Sequence, residues 1–341
     1  MKKIIEAKKR DSRFELLRIL SMFFIVISHF SMYGNYNFKS GNLHTLKVMQ
    51  FQPWGQIGVY LFVMITGYFL SSRKMTLKLA WSKIKPLWIK VWFYSVLIFL
   101  ICVFLFKINI NIKNIIQSIF PVVFSQYWFM TCFFILMLIT PFLNYMINSL
   151  DKTTFSIYLI IILFVADVMF LINNFVQPFG NQFSVGVMIS AYLIAGYIKR
   201  FNITEKVIYS VILLVFGLAL QYLSMYCLSI LKSGDKEFIC HFTYGIFPLI
   251  SAVAIFLIFL RMRAFYSKII NFFASSVLAA YLITTHQMIG KYFWNNLLNV
   301  PNLQFSDYFS LYGVVVSLLI IIFCCLIDKL YVLIVKMINR K

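Results

Sequence analysis

The chain has 341 residues, of which 62% are hydrophobic, 19% aromatic and 12% charged, and its mean hydropathy is +0.88. A soluble domain cannot hide that much apolar surface, so a water-soluble globular enzyme is excluded and an integral membrane protein expected. The formal net charge of +21 suits an anionic partner, but the cations cluster in alternate loops, which argues against nucleic acid and for membrane orientation and anionic lipid headgroups.

Apolar runs near the length that crosses about 30 Å of hydrocarbon predict helices rather than the weakly alternating strands of a barrel. The expected fold class is all-α: a polytopic protein with about ten transmembrane helices, near 14–33, 57–72, 87–106, 127–148, 154–173, 182–199, 207–230, 243–261, 268–289 and 309–333. The stretch from Ile115 to Val123 reads as an amphipathic or re-entrant piece on the outer side. Lys2, Lys3, Lys8, Lys9, Arg10 and Arg13 precede the first span; Arg73, Lys74, Lys78, Lys83 and Lys85 follow the second. Lys199, Arg200 and Lys206 follow the sixth, Arg261, Arg263 and Lys268 the eighth, and Lys336, Arg340 and Lys341 the last. Lys39, Lys47, Lys107, Lys113, Lys232, Lys236 and Lys291 are scattered through the other loops, where Asp235, Glu237 and Asp307 offset several of them. By the positive-inside rule both termini are cytoplasmic.

The first span opens with a basic region, as a signal peptide does, but Glu15 and Arg18 interrupt it and no small-residue cleavage site follows His29, so a retained anchor is expected. No long linker or internal repeat divides the chain, and residues 1–341 read as a single membrane domain. Cys102, Cys132, Cys227, Cys240, Cys324 and Cys325 lack metal-ligand spacing and read as small packing residues, so no metal site is expected.

Chemistry must therefore come from the spans and short loops. Eleven residues separate Arg18 from His29, which places both on one helix face about 16 Å apart, with Glu15 one turn before Arg18. Ionisable groups inside a span are costly unless they face a partner or a wet cavity. In one reading this stripe is a conduit: Arg18 meets the phosphate end of an acyl-CoA through its bidentate fork, while the thioester reaches His29 along a pantetheine arm of similar length. His29 then removes a proton from a hydroxyl or accepts the acyl group itself, and activity falls when acid protonates the imidazole. In the other, Arg18 and Glu15 snorkel at the inner interface and His29 sits at the outer headgroups. Spacing alone leaves the two level.

Other polar and aromatic residues also carry two readings. His286 either lines an acceptor cavity or is a buried polar group satisfied by Thr284, Thr285 or a neighbouring helix. Asp167, inside the fifth span, is expected to neutralise a cationic partner. Trp54, Tyr127, Trp128 and Trp294 fall at outer span ends as an aromatic belt, and Trp54 and Trp128 also suit stacking against a sugar face. His44 and His241 read as solvated loop residues.

The pattern Glu15-Leu-Leu-Arg18-x(10)-His29 resembles the first-helix signature of the acyltransferase-three family of bacterial multi-pass membrane O-acyltransferases. Gly55-Gln-Ile-Gly58-Val-Tyr-Leu-Phe62 through Thr66-Gly67-Tyr68 is similar to that family's second-helix pattern, with Thr66 where serine is usual. Lys74 to Pro86 occupies the place of the family's Arg-x-x-Arg stretch, with lysines such as Lys83 and Lys85 in place of bidentate arginines. Tyr127-Trp128-Phe129-Met130 and Thr140-Pro141 resemble the ends of a further family helix, and Tyr281-Leu-Ile-Thr-Thr-His286 resembles a late Tyr-Leu-Ile-His pattern with two threonines displacing the histidine.

The resemblance covers nearly the whole chain. It implies a plasma-membrane O-acetyltransferase or related acyltransferase with acyl-CoA as cosubstrate and no bound cofactor. The acceptor it implies is a hydroxyl of a lipid-linked or cell-surface glycan such as a capsule or exopolysaccharide, with glycan-assembly proteins as possible partners. It also implies that Arg18 and His29 are the residues required for transfer; Glu15, Lys83, Lys85, Trp128 and His286 are the candidates for holding donor or acceptor. The rivals are a glycan transporter or flippase, which would show two repeat-related halves, and a glycan polymerase.

Overall fold

A computed structural model of the chain describes residues 10–38, 42–107, 110–169, 171, 184–232 and 234–338. Lys2, Lys3, Lys8, Lys9, Lys39, Arg340, Lys341 and the facing ends of the fifth and sixth expected spans lie outside the described residues. Among the described residues all regular structure is helical: α1 Ser12–Tyr33, α2 Asn42–Met49, α3 Gln52–Leu70, α4 Leu77–Phe104, α5 Ile112–Ile119, α6 Trp128–Ser149 and α7 Lys152–Leu163. Then come α8 Ser184–Arg200, α9 Val207–Leu231, α10 Ile246–Arg261, α11 Lys268–Ala274, α12 Leu278–Thr284 and α13 Phe309–Ile338.

Seven of these helical stretches are long and apolar enough to cross a membrane among the described residues, and α2 and α3 combine into one of them, Leu43–Leu70. The protein is therefore a multi-pass membrane protein. Over the described residues the helices of the remaining three expected spans are shorter. Lys152–Leu163 runs into a π turn at Phe164–Val168, Ser184–Arg200 has 17 residues, and the ninth is split into α11 and α12 around Ser275 and Ser276. Large apolar side chains that stay exposed, such as Ile212, Val215 and Leu223 on α9 and Leu319 and Phe323 on α13, face where lipid replaces water. In α5 the polarity is inverted. Ile112, Ile115 and Ile119 point outward while Gln117 and Ser118 are buried, and the Ser118 carbonyl accepts from the Ser95 hydroxyl at 2.9 Å. That suits a short helix lying at a lipid boundary.

The bundle is organised around α1. Asp11 caps it, accepting from the Arg13 N–H at 3.0 Å. The Arg13 guanidinium beside Asp11 donates to its carboxylate and holds it below the usual carboxylate range. Arg13 also donates to the Met262 carbonyl at 2.6 Å, and the Ser12 hydroxyl links Asn271 and the Ser267 N–H. These bonds fix the start of α1 to the α10–α11 loop. From there α1 runs antiparallel to α3, its most extensive partner, and glycine makes the crossing close. A Cβ on Gly58 would lie 2.4 Å from the Ser21 carbonyl oxygen, and one on Gly55 2.3 Å from Ser28 Oγ. Helices in lipid lack a hydrophobic drive to associate, so such small-residue contacts carry the packing. The opposite face of α1 meets α11, α12 and α13, which brings α12 against His29.

Candidate active site

His29 sits in the second half of α1, three turns beyond Arg18, and is 6% exposed. Its ring lies 5.1 Å from Tyr33, one turn further along the same face, and 6.4 Å from Tyr281 of α12. Its Nδ1 is 3.5 Å from the hydroxyl of Thr284. That hydroxyl has one proton, and the proton is directed to the Ala280 carbonyl at 2.7 Å. Toward His29 the Thr284 oxygen can therefore only accept. This arrangement favours the tautomer with its proton on Nδ1 and the lone pair on Nε2, the form that serves as a base.

Arg18 and Glu15 form an ion pair at 2.5 Å one turn apart, with Glu15 nearly buried and the Arg18 side chain 29% exposed. Only one guanidinium nitrogen of Arg18 is engaged by a protein acceptor among the described residues. Its other donors are available to a phosphate, and Glu15 limits the rotamers of the fork. The helix rise keeps about 16 Å between Arg18 and His29.

The other expected site residues scatter. His286 is buried, with Nε2 3.3 Å from the Ser95 carbonyl and Nδ1 accepting from the Met288 N–H at 3.2 Å. Both ring nitrogens are satisfied by backbone groups, which gives the structural account of its burial. It stays one layer from His29, through Tyr127 at 6.1 Å and Tyr281 beyond it. Trp128 is half-buried and meets this layer through Phe129, whose ring is 5.6 Å from Tyr281. Lys83 is half-buried and Lys85 exposed on the first turns of α4. Among the described residues no hydrogen bond or ion pair ties either lysine to Arg18, Glu15 or His29. A cavity of about 610 Å³ opens nearby between the α3–α4 turn and α6, bordered by Arg73, Lys74, Asn144 and Asn148.

Several expectations need correction. Among the described residues Asp167 meets no cation: its Oδ1 accepts from the Tyr60 hydroxyl at 2.6 Å, and the same hydroxyl lies 3.0 Å from the Gly245 carbonyl. Tyr127 and Trp294 are fully buried rather than in an outer belt, because both face α1 or its neighbours; the Trp294 ring packs on Phe30. His44 stacks on Phe305 with ring centroids 4.5 Å apart, and His241 Nε2 is 2.8 Å from the Leu171 carbonyl, so neither is simply solvated. Cys227 is exposed, whereas the other cysteines are buried as expected.

Sequence reading passed over two features. Thr284 entered only as a displacement of the family histidine and a partner for His286, yet it is the residue that faces His29. Its place three residues after Tyr281 was the available signal. Lys90 and Asp328 form an ion pair at 2.7 Å, with Tyr94 donating to the same carboxylate at 3.0 Å. Opposite charges inside two expected spans were there to be noticed.

Compared with known protein families, residues 11–328 match the acyltransferase-three family, described as an acyltransferase domain. The chain belongs to that family. It is a membrane acyltransferase, and the match runs from the cap of α1 to Asp328 in α13, taking in every helix of the site. No curated protein and no solved structure matches this acyltransferase.

Proposed function

We propose that this acyltransferase moves an acyl group, acetyl in the first instance, from cytoplasmic acyl-CoA to a hydroxyl of a cell-surface or lipid-linked glycan at the plasma membrane. The observation that carries the proposal is the stripe on α1: a neutral imidazole oriented by Thr284, with an acid-held arginine three turns away on the same face. His29 Nε2 takes the proton of the acceptor hydroxyl as its oxygen attacks the thioester carbonyl; the carbon–sulfur bond breaks and the proton passes to the departing thiolate. Transient acylation of the imidazole followed by transfer gives the same balance. Arg18, oriented by Glu15, holds the donor's phosphates, with Lys83 and Lys85 as point charges along the donor's approach. Trp128 and His286 shape the layer behind Tyr281 on the acceptor side. At 6% exposure His29 is kept from bulk water, which limits loss of the acyl group to hydrolysis.

The orientation follows from charge. Arg13, Arg73, Lys74, Lys78, Lys83, Lys85, Arg261, Arg263 and Lys268 gather at the end of the bundle where α1 begins, which supports cytoplasmic termini and entry of the donor from that side. Residues 1–341 then act as one membrane domain of about ten spans, with the shorter helices completing the seven long ones.

The test is glycan O-acylation, read by NMR and mass spectrometry, in cells lacking the protein and complemented with wild type or His29→Ala at matched membrane levels. Wild type restores an ester and His29→Ala does not. An unchanged ester pattern alongside altered export or polymer length would replace this reading with a transporter or a polymerase.

A further inference from the structure

About half a turn beyond His29 lies a polar group that the reaction above does not use. Gln52, the first residue of α3, is 5% exposed. Its Nε2 donates to the Tyr244 hydroxyl at 3.2 Å, while its Oε1 has no hydrogen-bond partner. A buried amide oxygen left unpaired costs about 1–3 kcal/mol, so native proteins rarely leave one without a use. Tyr244 is 36% exposed, on the turn before α10. It accepts from Gln52, and no protein acceptor takes its own proton among the described residues. Its hydroxyl interacts electrostatically with that of Tyr33, as does the hydroxyl of Tyr281. Tyr33 in turn packs on the His29 ring.

The register of α1 against α3 sets the depth. Gly55 lies level with Ser28, and Gly58 with Ser21 and Ile25. Gln52, three residues before Gly55 on an antiparallel helix, is therefore level with about Ser31, roughly 3 Å beyond His29 and away from Arg18. The turn that carries Tyr244 is shaped by Gly245, at φ +72°, whose carbonyl lies 3.0 Å from the Tyr60 hydroxyl; the single proton of that hydroxyl goes to the closer Asp167 Oδ1 at 2.6 Å. Asp167 and Tyr60 thus lie beneath the turn.

We infer that Gln52, Tyr244 and Tyr33 form the acceptor subsite, a clamp for a polyhydroxylated ring that presents one hydroxyl to His29. The inference rests on the transfer reading above and names its substrate contacts. An unpaired acceptor, Gln52 Oε1, stands beside an uncommitted donor, the Tyr244 hydroxyl. A sugar hydroxyl both donates and accepts, so one hydroxyl, or two neighbouring ones, satisfies both groups at once. An anionic ligand would not: the three side chains carry no formal charge, and Glu237, which acts electrostatically on the Tyr244 hydroxyl, is an acid, which separates the subsite from the arginine end of the stripe. A phosphate or carboxylate headgroup is therefore the wrong class, and a neutral ring with free hydroxyls the right one.

The experiment uses membranes containing the full-length protein, radiolabelled acetyl-CoA and glycan purified from the deletion strain as acceptor, with each substrate varied in turn. Gln52→Leu and Tyr244→Phe are expected to raise the KM for the glycan about tenfold each, the effect of one lost buried hydrogen bond, while the KM for acetyl-CoA stays within about twofold. Gln52→Met, which fills a similar volume without the amide, should match Gln52→Leu in glycan KM, and wild-type dye melting of these variants controls for folding. If both variants keep the wild-type glycan KM, or raise the KM for acetyl-CoA instead, the subsite is wrong while the transfer reading stands. If wild type forms no His29-dependent ester, the transfer reading falls and the subsite falls with it.

Discussion

Gly58→Ala tests the framework that holds His29. The added Cβ would lie 2.4 Å from the Ser21 carbonyl oxygen and 2.9 Å from Ile25 Cγ1. Ordinary contact begins near 3.4 Å, so α1 and α3 must separate by about 1 Å, and the nearest obstacle is backbone that cannot rotate away. Overpacking of this kind costs about 1–3 kcal/mol. At this chain length that is a fall of about 1–4 °C in melting temperature. A thiol-reactive dye reads the transition in detergent, because Cys102, Cys132, Cys240, Cys324 and Cys325 are buried until the bundle opens. Displacing α1 by 1 Å also moves His29 relative to α12, and such misplacement lowers a rate by up to about a hundredfold. Gly186→Ala, whose Cβ meets only the Ala166 methyl at 3.2 Å, should lose far less of either. A Gly58→Ala protein with wild-type melting and wild-type ester formation would mean that α1 and α3 do not cross at this point, and the placement of His29 against Thr284 would go with it.

Three further outcomes follow from the same contacts. Thr284→Val removes the oxygen that receives the His29 Nδ1 proton, so turnover should drop about tenfold with little change in either KM, and Thr284→Ser should restore it; equal rates in all three would end the tautomer argument. Asp328→Asn strands Lys90 in the bundle and should cost about 3–5 kcal/mol, while Lys90→Met combined with Asp328→Leu recovers most of it; additive losses measured by dye melting would show that the pair is not coupled. Asp11→Ala removes the cap of α1 and should cost about 1 kcal/mol. Because Arg13 lowers the Asp11 pKa, that stabilisation is complete above the ordinary carboxylate pKa and is lost as pH falls through the lowered one. Wild type should therefore lose stability in acid in a step that Asp11→Ala lacks, and parallel melting curves from pH 6 to pH 3 would refute this.

The sequence by itself determined the class of the protein and the stripe on α1. Hydropathy and the length of the apolar runs require spanning helices whatever their neighbours do, and a helix of fixed rise puts Glu15, Arg18 and His29 on one face without any knowledge of the fold. The ordered motifs were enough to point to the family. Period and composition cannot say which residue from another helix arrives opposite His29, and there the tertiary structure decided. Beyond the break around Ser275 and Ser276 it is Thr284 that faces His29, while His286, for which the sequence left a cavity-lining and a structural reading open, meets the Ser95 carbonyl. Asp167 likewise found a tyrosine instead of a cation, and Lys90 found Asp328 more than two hundred residues away in the chain. Each of these pairings depends on how helices distant in sequence pack at the glycine contacts, a balance of surface shape and buried polar satisfaction that local patterns do not record.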